Sequence, residues 1–221
     1  LYVSNWPSDS VSIIDTATNK VIGTMAAGDN PNDMLLAPDG RLFVSNGNLN
    51  TVSVFDAHKR ELLETINVGL TPNAPPGATP NALALDAAAK MLFVANADNN
   101  SIAVVGVQNL GRSEVLGFLP SGWYPSALAI LSGSRIAVGN SKGLGGYSDE
   151  RGPHSPLAKD GSTAGLGTVK SLQKGTINFV TLRNLKSELP GWTKQVMANT
   201  PYADSQLHTA RAAKSPSIVA S

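Results

Sequence analysis

The stretch LYVSN at Leu1–Asn5 returns as LFVSN at Leu42–Asn46, as LFVAN at Leu92–Asn96 and, more weakly, as IAVGN at Ile136–Asn140. The copies begin roughly 40 to 50 residues apart, a spacing typical of proteins built from one small supersecondary unit stacked on itself. The repeat therefore predicts the architecture before any catalytic motif is considered.

Further apolar runs of strand length follow each copy. The second runs are SVSIID, TVSVFD, SIAVVG and TINFVT, and the third runs are KVIGTM, ELLETIN and EVLGFL. The fourth runs, NDMLLA, NALALD and SALAIL, each follow a Gly and a Pro. Apolar residues at both odd and even positions are typical of strands covered on both faces. Four short strands per unit predict the blade of a β-propeller.

The first copy, LYVSN…SVSIIDTATNKVIGTM…G…P, resembles the YVTN-type β-propeller repeat, and the resemblance covers about the first 140 residues. It implies an all-β propeller of about 3.5 four-stranded blades, with the Gly-Pro-led strand innermost. We predict an incomplete blade 1 at 1–27, blade 2 at 30–68, blade 3 at 80–120 and blade 4 at 124–182.

Residues 183–221 are predicted to form a short helical tail that links to a missing downstream domain. Leu185, Leu189, Trp192 and Val196 recur at helical spacing, with Ser187 as the expected N-cap and Asn199-Thr200-Pro201 as the end. We expect this helix to replace the outermost strand of blade 4, and a second short helix to follow at Asp204–Ala213.

Composition excludes several classes of function. The 17 Lys and Arg nearly balance the 16 Asp and Glu. The chain has no run of basic residues of the kind that would predict a nucleic-acid partner. The chain has no cysteine, which excludes disulfides, thiolate metal sites and cysteine nucleophiles. No apolar run reaches the roughly 18 residues that a membrane-spanning helix needs. The chain begins within a strand-like run without Met or a signal peptide, so we expect its N-terminus to be a cut edge.

The ring predicted from the repeats is incomplete. A terminal blade that leaves about six apolar side chains uncovered would lose roughly 9 to 18 kcal/mol of stabilisation. We therefore expect packing against missing blades upstream of Leu1, and a small four-bladed ring is the alternative.

Two links are much longer than their counterparts, at Gly69–Thr79 between blades 2 and 3 and at residues 141–174 within blade 4. Because strands alternate in direction, both links leave the same face of the disc, and long loops on a rigid scaffold commonly carry function. We predict that this face binds a partner or ligand; tolerated surface decoration is the alternative. The candidate residues are Asn73, Trp123, Lys142, Tyr147, Asp149, Arg151, His154 and Lys159.

No catalytic constellation is predicted in this segment. His58, His154 and His208 lack metal-ligand spacing, and neither a G-x-S-x-G elbow nor a phosphate-binding glycine motif is present. The sequence thus predicts no catalytic residue, metal or cofactor here. The repeated Asn at the end of each first run is expected to stabilise a turn, because its amide can bond local backbone and tolerates left-handed geometry, and Asp15 and Asp56 are expected to stabilise hairpins.

A second resemblance spans Gly122–Asp204. In order, GWYPSALAI, GNSKGLGG, LQKGTINFV and KQVMANTPYAD resemble the end of the propeller in bacterial two-part proteins, where a YVTN propeller precedes a phosphoesterase domain of the alkaline phosphatase superfamily. The resemblance implies a non-catalytic scaffold in a periplasmic or extracellular hydrolase. The divalent metals and catalytic residues would lie in a domain downstream of Ser221.

Two alternatives stay open. One is a self-contained YVTN propeller that acts as a binding module at the cell surface or in the periplasm. The other is a lactonase-like propeller hydrolase, which would need acidic or histidine side chains on the innermost strands. Those strands offer only Asp33 and Asp86.

Overall fold

The computed structural model describes residues 1–143 and 174–200. In these residues the chain forms fourteen strands, one α-helix and a short 3-10 turn at Trp6–Ser8. The strands are β1 Tyr2–Asn5, β2 Ser10–Asp15, β3 Lys20–Ala26, β4 Pro31–Leu36, β5 Arg41–Asn46, β6 Thr51–Asp56, β7 Glu61–Asn67, β8 Pro80–Asp86, β9 Met91–Asn96, β10 Ser101–Gly106, β11 Glu114–Pro120, β12 Pro125–Leu131, β13 Arg135–Asn140 and β14 Thr176–Thr181; the helix is α1, Leu185–Asn199.

The strands form four antiparallel sheets, which we call blades 1 to 4. Blade 1 is β1-β2-β3, blade 2 is β4-β5-β6-β7, blade 3 has the order β8-β9-β10-β11 from inside to outside, and blade 4 is β12-β13-β14. Strands β4, β8 and β12 contact one another from blade to blade, so the Gly-Pro-led strand is innermost. The prediction of an all-β propeller with a helical C-terminal segment is confirmed.

The apolar core lies between the blades, which explains why each strand has apolar residues at both odd and even positions. Phe55 belongs to the cluster between blades 1 and 2, and Phe43 to the cluster between blades 2 and 3. Phe93 lies between blades 3 and 4 together with Ile136 and Val138 of β13. Each blade is therefore stabilised by burial against its neighbours rather than by a core of its own.

Helix α1 differs from the expectation. It contacts β11 of blade 3 instead of completing blade 4, and the backbone N–H of Phe118 donates to the Thr193 hydroxyl over 2.9 Å. Its N-cap is Asn184, not Ser187, whose hydroxyl donates to the Asn184 carbonyl. The apolar side chain of Leu185 already packs into the core, so the helix begins earlier than the capping signal predicted. Its end at Asn199 is as predicted; the second helix at 204–213 lies outside the described residues.

The repeated Asn side chains do more than stabilise a turn. Each is the last residue of a strand, and none has a positive φ, so the left-handed geometry that Asn tolerates is not used at these positions. The Asn46 amide donates to Thr51 Oγ1 and Ser53 Oγ, and its oxygen accepts a hydrogen bond from the backbone N–H of Gly28. Asn96 likewise donates to the Val68 carbonyl, also in a preceding link. Asn46 and Asn96 therefore connect blades 2 and 3 to the links that lead into them.

Candidate functional site

The links between blades and the turns between the second and third strands lie on one face, which we call the loop face. The backbone N–H groups of the turns donate to carbonyls of the links, Gly47 to Asn30, Ala97 to Thr79 and Ser141 to Tyr124. The loop face therefore comprises the links 27–30, 68–79 and 121–124 and the turns 6–9, 47–50, 97–100 and 141–143.

One buried side chain organises the first insertion. The Asn50 amide nitrogen donates to the carbonyls of Ala74 and Pro75, and its oxygen accepts from the N–H groups of Gly77 and Ala78. Four hydrogen bonds from one amide use its full capacity. Hydrogen bonds to Asn50 therefore hold the insertion at Gly69–Thr79 in place on the loop face.

A cavity of about 370 Å³ opens on the loop face between blade 3 and the end of α1. Its lining comes from the turn of blade 3, the link to blade 4 and the last turn of the helix: Asp98, Asn99, Asn100, Ser121, Trp123, Val196, Asn199 and Thr200. A second cavity of about 180 Å³ shares Asn99 and Thr200 with it and extends along the insertion at Leu70–Ala78. We call the two together the rim cavity.

Three polar side chains of the rim cavity are held in place by hydrogen bonds to the scaffold. Asp98 accepts a hydrogen bond from the Thr79 hydroxyl at 2.6 Å, and Asn100 Oδ1 accepts one from the backbone N–H of Tyr124. The Thr200 hydroxyl donates to the Val196 carbonyl. Trp123 is 51% exposed although its backbone bonds to Lys142 and Gly143.

The predicted site residues fall into two groups. Trp123, Lys142 and Asn73 lie on the loop face; Trp123 lines the rim cavity, and the Lys142 ammonium lies 4.2 Å from the Tyr124 ring centroid. The others lie outside the described residues: Tyr147, Asp149, Arg151, His154 and Lys159. Sequence reasoning did not identify the polar turn at Asp98–Asn100 or Asn199 as part of the site, although the run of Asp and Asn after the third repeat was a signal.

Carboxylates elsewhere have structural partners. Asp33 on the innermost strand accepts backbone N–H groups of Met34 and Leu83, and Asp86 accepts that of Ala89. Backbone N–H donors at Ala17 and Lys59 lower the pKa of Asp15 and Asp56, respectively. In the described part of the chain, no three His, Cys, Asp or Glu side chains group as metal ligands.

Similarity to known proteins is structural. No family model and no curated protein matches the chain. The hydrazine synthase of Kuenenia stuttgartiensis is 25% identical, with a TM-score of 0.55 over 63% of this chain and 38% of that chain. The structure of U3-55K is 13% identical, with a TM-score of 0.51 over 62% of this chain and 41% of that chain.

Both of these structures are β-propellers, and the likeness to them shows the fold. The matched region spans less than half the length of either protein. In residues 1–143 and 174–200, no helix has the length and hydropathy needed to cross a membrane.

Proposed function

We propose that this chain is a sector of a larger YVTN-type β-propeller that acts as a non-catalytic scaffold and packs against further blades. The observation that carries the proposal is the face of blade 4 that points away from blade 3. Ile177 and Phe179 are 67% and 63% exposed there. Ile102 and Val104 hold the same strand positions in blade 3 and are fully buried, at 0%.

The exposed face has the composition of a buried one. Beside Ile177 and Phe179 it presents Ala137 and Gly139, which are paired with them across β13 and β14. Leaving the two large side chains about two-thirds exposed forgoes roughly 2 to 4 kcal/mol of stabilisation. A solvated face of an antiparallel sheet is normally polar, so this one favours an apolar neighbour.

The opposite terminal sheet supports the same reading. Val3 of β1 is exposed, whereas Val44, the corresponding residue of the next repeat, is fully buried. Blade 1 thus presents the face that each inner blade turns toward its predecessor, and blade 4 presents the face that each turns toward its successor. Both faces match the blade-to-blade interfaces already present in the chain.

Matched isoleucine truncations in the full-length gene product test the packing. If a blade covers β14, Ile177→Ala should cost about 2 to 4 kcal/mol of unfolding free energy in urea, close to Ile102→Ala. Leu62→Ala is the control, because Leu62 is similarly exposed on the outer strand β7. A cost for Ile177→Ala as small as that of the control contradicts the proposal.

Attachment to a phosphoesterase of the alkaline phosphatase superfamily is the finer part of the proposal. It is supported by the order of the four phrases between Gly122 and Asp204. In this form the propeller packs against a periplasmic or extracellular hydrolase domain that holds the divalent metals. Sequencing the encoding gene beyond the Ser221 codon tests it: a metal-ligating Asp and His pattern is expected downstream, and an immediate stop codon would contradict it.

A self-contained binding module is the second candidate function. It is favoured by the rim cavity, which is built by three elements that the fold brings together on the loop face. The two candidates differ in the downstream gene sequence, and they also differ in whether the propeller alone accounts for ligand binding.

A further inference from the structure

The rim cavity carries hydrogen-bonding groups of both kinds. Three amides, of Asn99, Asn100 and Asn199, and two hydroxyls, of Ser121 and Thr200, line it. The Ser121 and Thr200 hydroxyls donate to the carbonyls of Gly122 and Val196, so they offer a ligand acceptors, whereas the amides offer NH₂ donors. A ligand rich in hydroxyl groups, which also donate and accept, is the chemical match for such a lining.

Charge disfavours anions in this cavity. Asp98 is the one charged residue among those lining the larger part of the cavity. The C-terminal end of α1 borders it, and the last turn of this helix has no basic residue. Because a helix C-terminus carries partial negative charge, a phosphate or carboxylate ligand would meet repulsion from both.

The amide of Asn100 supplies a hydrogen-bond donor. Its oxygen is already committed to the backbone N–H of Tyr124, so the NH₂ group is what it has to offer a ligand. An NH₂ donor does not stabilise an ammonium ion but does donate to a neutral hydroxyl oxygen. The carboxylate of Asp98 and the NH₂ donors together favour a ligand that both donates and accepts hydrogen bonds, with Asp98 accepting from its hydroxyl groups.

Trp123 adds an apolar platform to these polar groups. This residue is about half exposed, and its backbone is fixed by hydrogen bonds to Gly143 and Lys142. The face of an aromatic ring is electron-rich and attracts the polarised C–H groups of a sugar ring. The cavity of about 370 Å³ lies at the lower end of the roughly 300 to 1,000 Å³ typical of ligand sites.

We propose that the rim cavity binds a neutral carbohydrate of one or two sugar rings, with one ring stacked on Trp123 and its hydroxyls bonded to Asp98 and Asn99. This inference rests on the second candidate function, a binding module, and names its ligand class. It is independent of the blade packing at β14, which the isoleucine truncations test separately.

The test is calorimetry and saturation-transfer NMR with the full chain. The neutral probes are glucose, galactose, mannose, N-acetylglucosamine, maltose and cellobiose; the charged probes are glucose 6-phosphate and choline. At least one neutral probe should bind, glucose 6-phosphate should bind more weakly than glucose, and choline should not compete. Pull-down on insoluble cellulose and chitin distinguishes a polysaccharide surface from a free sugar.

Variants assign the binding to the cavity. Trp123→Ala should weaken binding about tenfold or more, and Asn99→Ala about threefold to tenfold. Trp6→Ala is the matched control. Trp6 is also about half exposed on the loop face, but it belongs to blade 1 and does not line the rim cavity. It should leave the affinity unchanged, and all three variants should keep the melting temperature.

Three results would overturn the proposal. Tighter binding of choline or glucose 6-phosphate than of any neutral probe would reject the ligand class while leaving a binding site on the loop face. Binding of no probe would reject the site as well. Equal loss of affinity in Trp6→Ala and Trp123→Ala would place the ligand elsewhere.

Discussion

Blades 3 and 4 have the same strand pattern but different surroundings. In blade 3 every residue of β10 is buried, because blades 2 and 4 cover its two faces and α1 packs on the neighbouring strand β11. In β14, which holds the same place in blade 4, none is buried. Apolar residues on both faces of a strand therefore indicate that both faces pack against neighbours. The exposure of β14 shows that no described residue packs against its outer face.

Blades 1 and 2 repeat the contrast in their polar contacts. Asn46 of blade 2 is fully buried and bonds to two side chains of β6 and to the link at Gly28. Asn5 of blade 1 is half-buried and bonds only to Ser10 and Ser12 among the described residues. The Asn at this repeat position therefore connects blade 2 to the link that precedes it, whereas in blade 1 it bonds only to the next strand of its own sheet.

Truncation of these two Asn residues is expected to give the largest effect. Asn46→Ala removes three hydrogen bonds and leaves the Gly28 N–H without its acceptor, which should cost about 2 to 4 kcal/mol. Asn5→Ala should cost about 1 kcal/mol or less, because water can replace its bonds. Urea unfolding of both variants measures the difference, and equal costs would mean that the link to the preceding blade contributes nothing.

Most of the fold could be predicted from the sequence because each strand is defined by local signals. The second runs predict β2, β6, β10 and β14 at their observed bounds, since polar turn residues flank short apolar runs on both sides. Position within the blade followed from the resemblance to the YVTN-type repeat, which implies that the Gly-Pro-led strand is innermost. The repeat therefore predicted both the positions of the strands and their order within a blade.

Helix packing and the rim cavity could not be predicted in the same way. Leu185 and Val196 show that α1 has an apolar face, but the helical period does not specify which blade that face contacts. The cavity joins Asp98, Trp123 and Asn199, which lie on three separate elements. Only the placement of the helix on β11 brings them together, so local patterns identified Trp123 alone.

That placement gives the second prediction. A Cβ added to Gly117 would lie 2.5 Å from Thr193 Oγ1 and 2.8 Å from Leu189 Cγ, closer than packed atoms approach. Gly117→Ala should therefore push α1 off blade 3 and, because the φ of Gly117 is +156°, also strain the backbone, at a cost of about 1 to 3 kcal/mol. Emission from Trp192, which packs on the cluster between blades 3 and 4, should shift to longer wavelength.

Gly191→Ala in the same helix is the control. A Cβ at this position meets no atom within 4 Å, and Ala is a better helix former than Gly by about 1 kcal/mol. It should therefore raise stability and leave the Trp192 emission unchanged. If Gly117→Ala were as well tolerated, the helix would not be held closely against β11.

The third and smallest prediction concerns a charged contact between the inner blades. The buried Arg41 guanidinium donates to the Val107 carbonyl of blade 3, and it also donates to Asp39, with which it forms an ion pair at 2.8 Å. These bonds from Arg41 lower the pKa of the Asp39 carboxyl. Asp39→Asn removes the charge that accompanies a buried cation and should cost about 1 kcal/mol near neutral pH.

The pH dependence of that cost separates charge from packing. Because the folded pKa of Asp39 lies below the unfolded value of about 3.9, the ion pair contributes fully above that pH and is lost as the pH falls through the folded pKa. The difference in unfolding free energy between wild type and Asp39→Asn should therefore shrink as the pH is lowered below about 4. Urea titrations across this range measure it, and a difference that stays constant would mean that Asp39 acts through its hydrogen-bond geometry, which Asn fails to reproduce, and not through its charge.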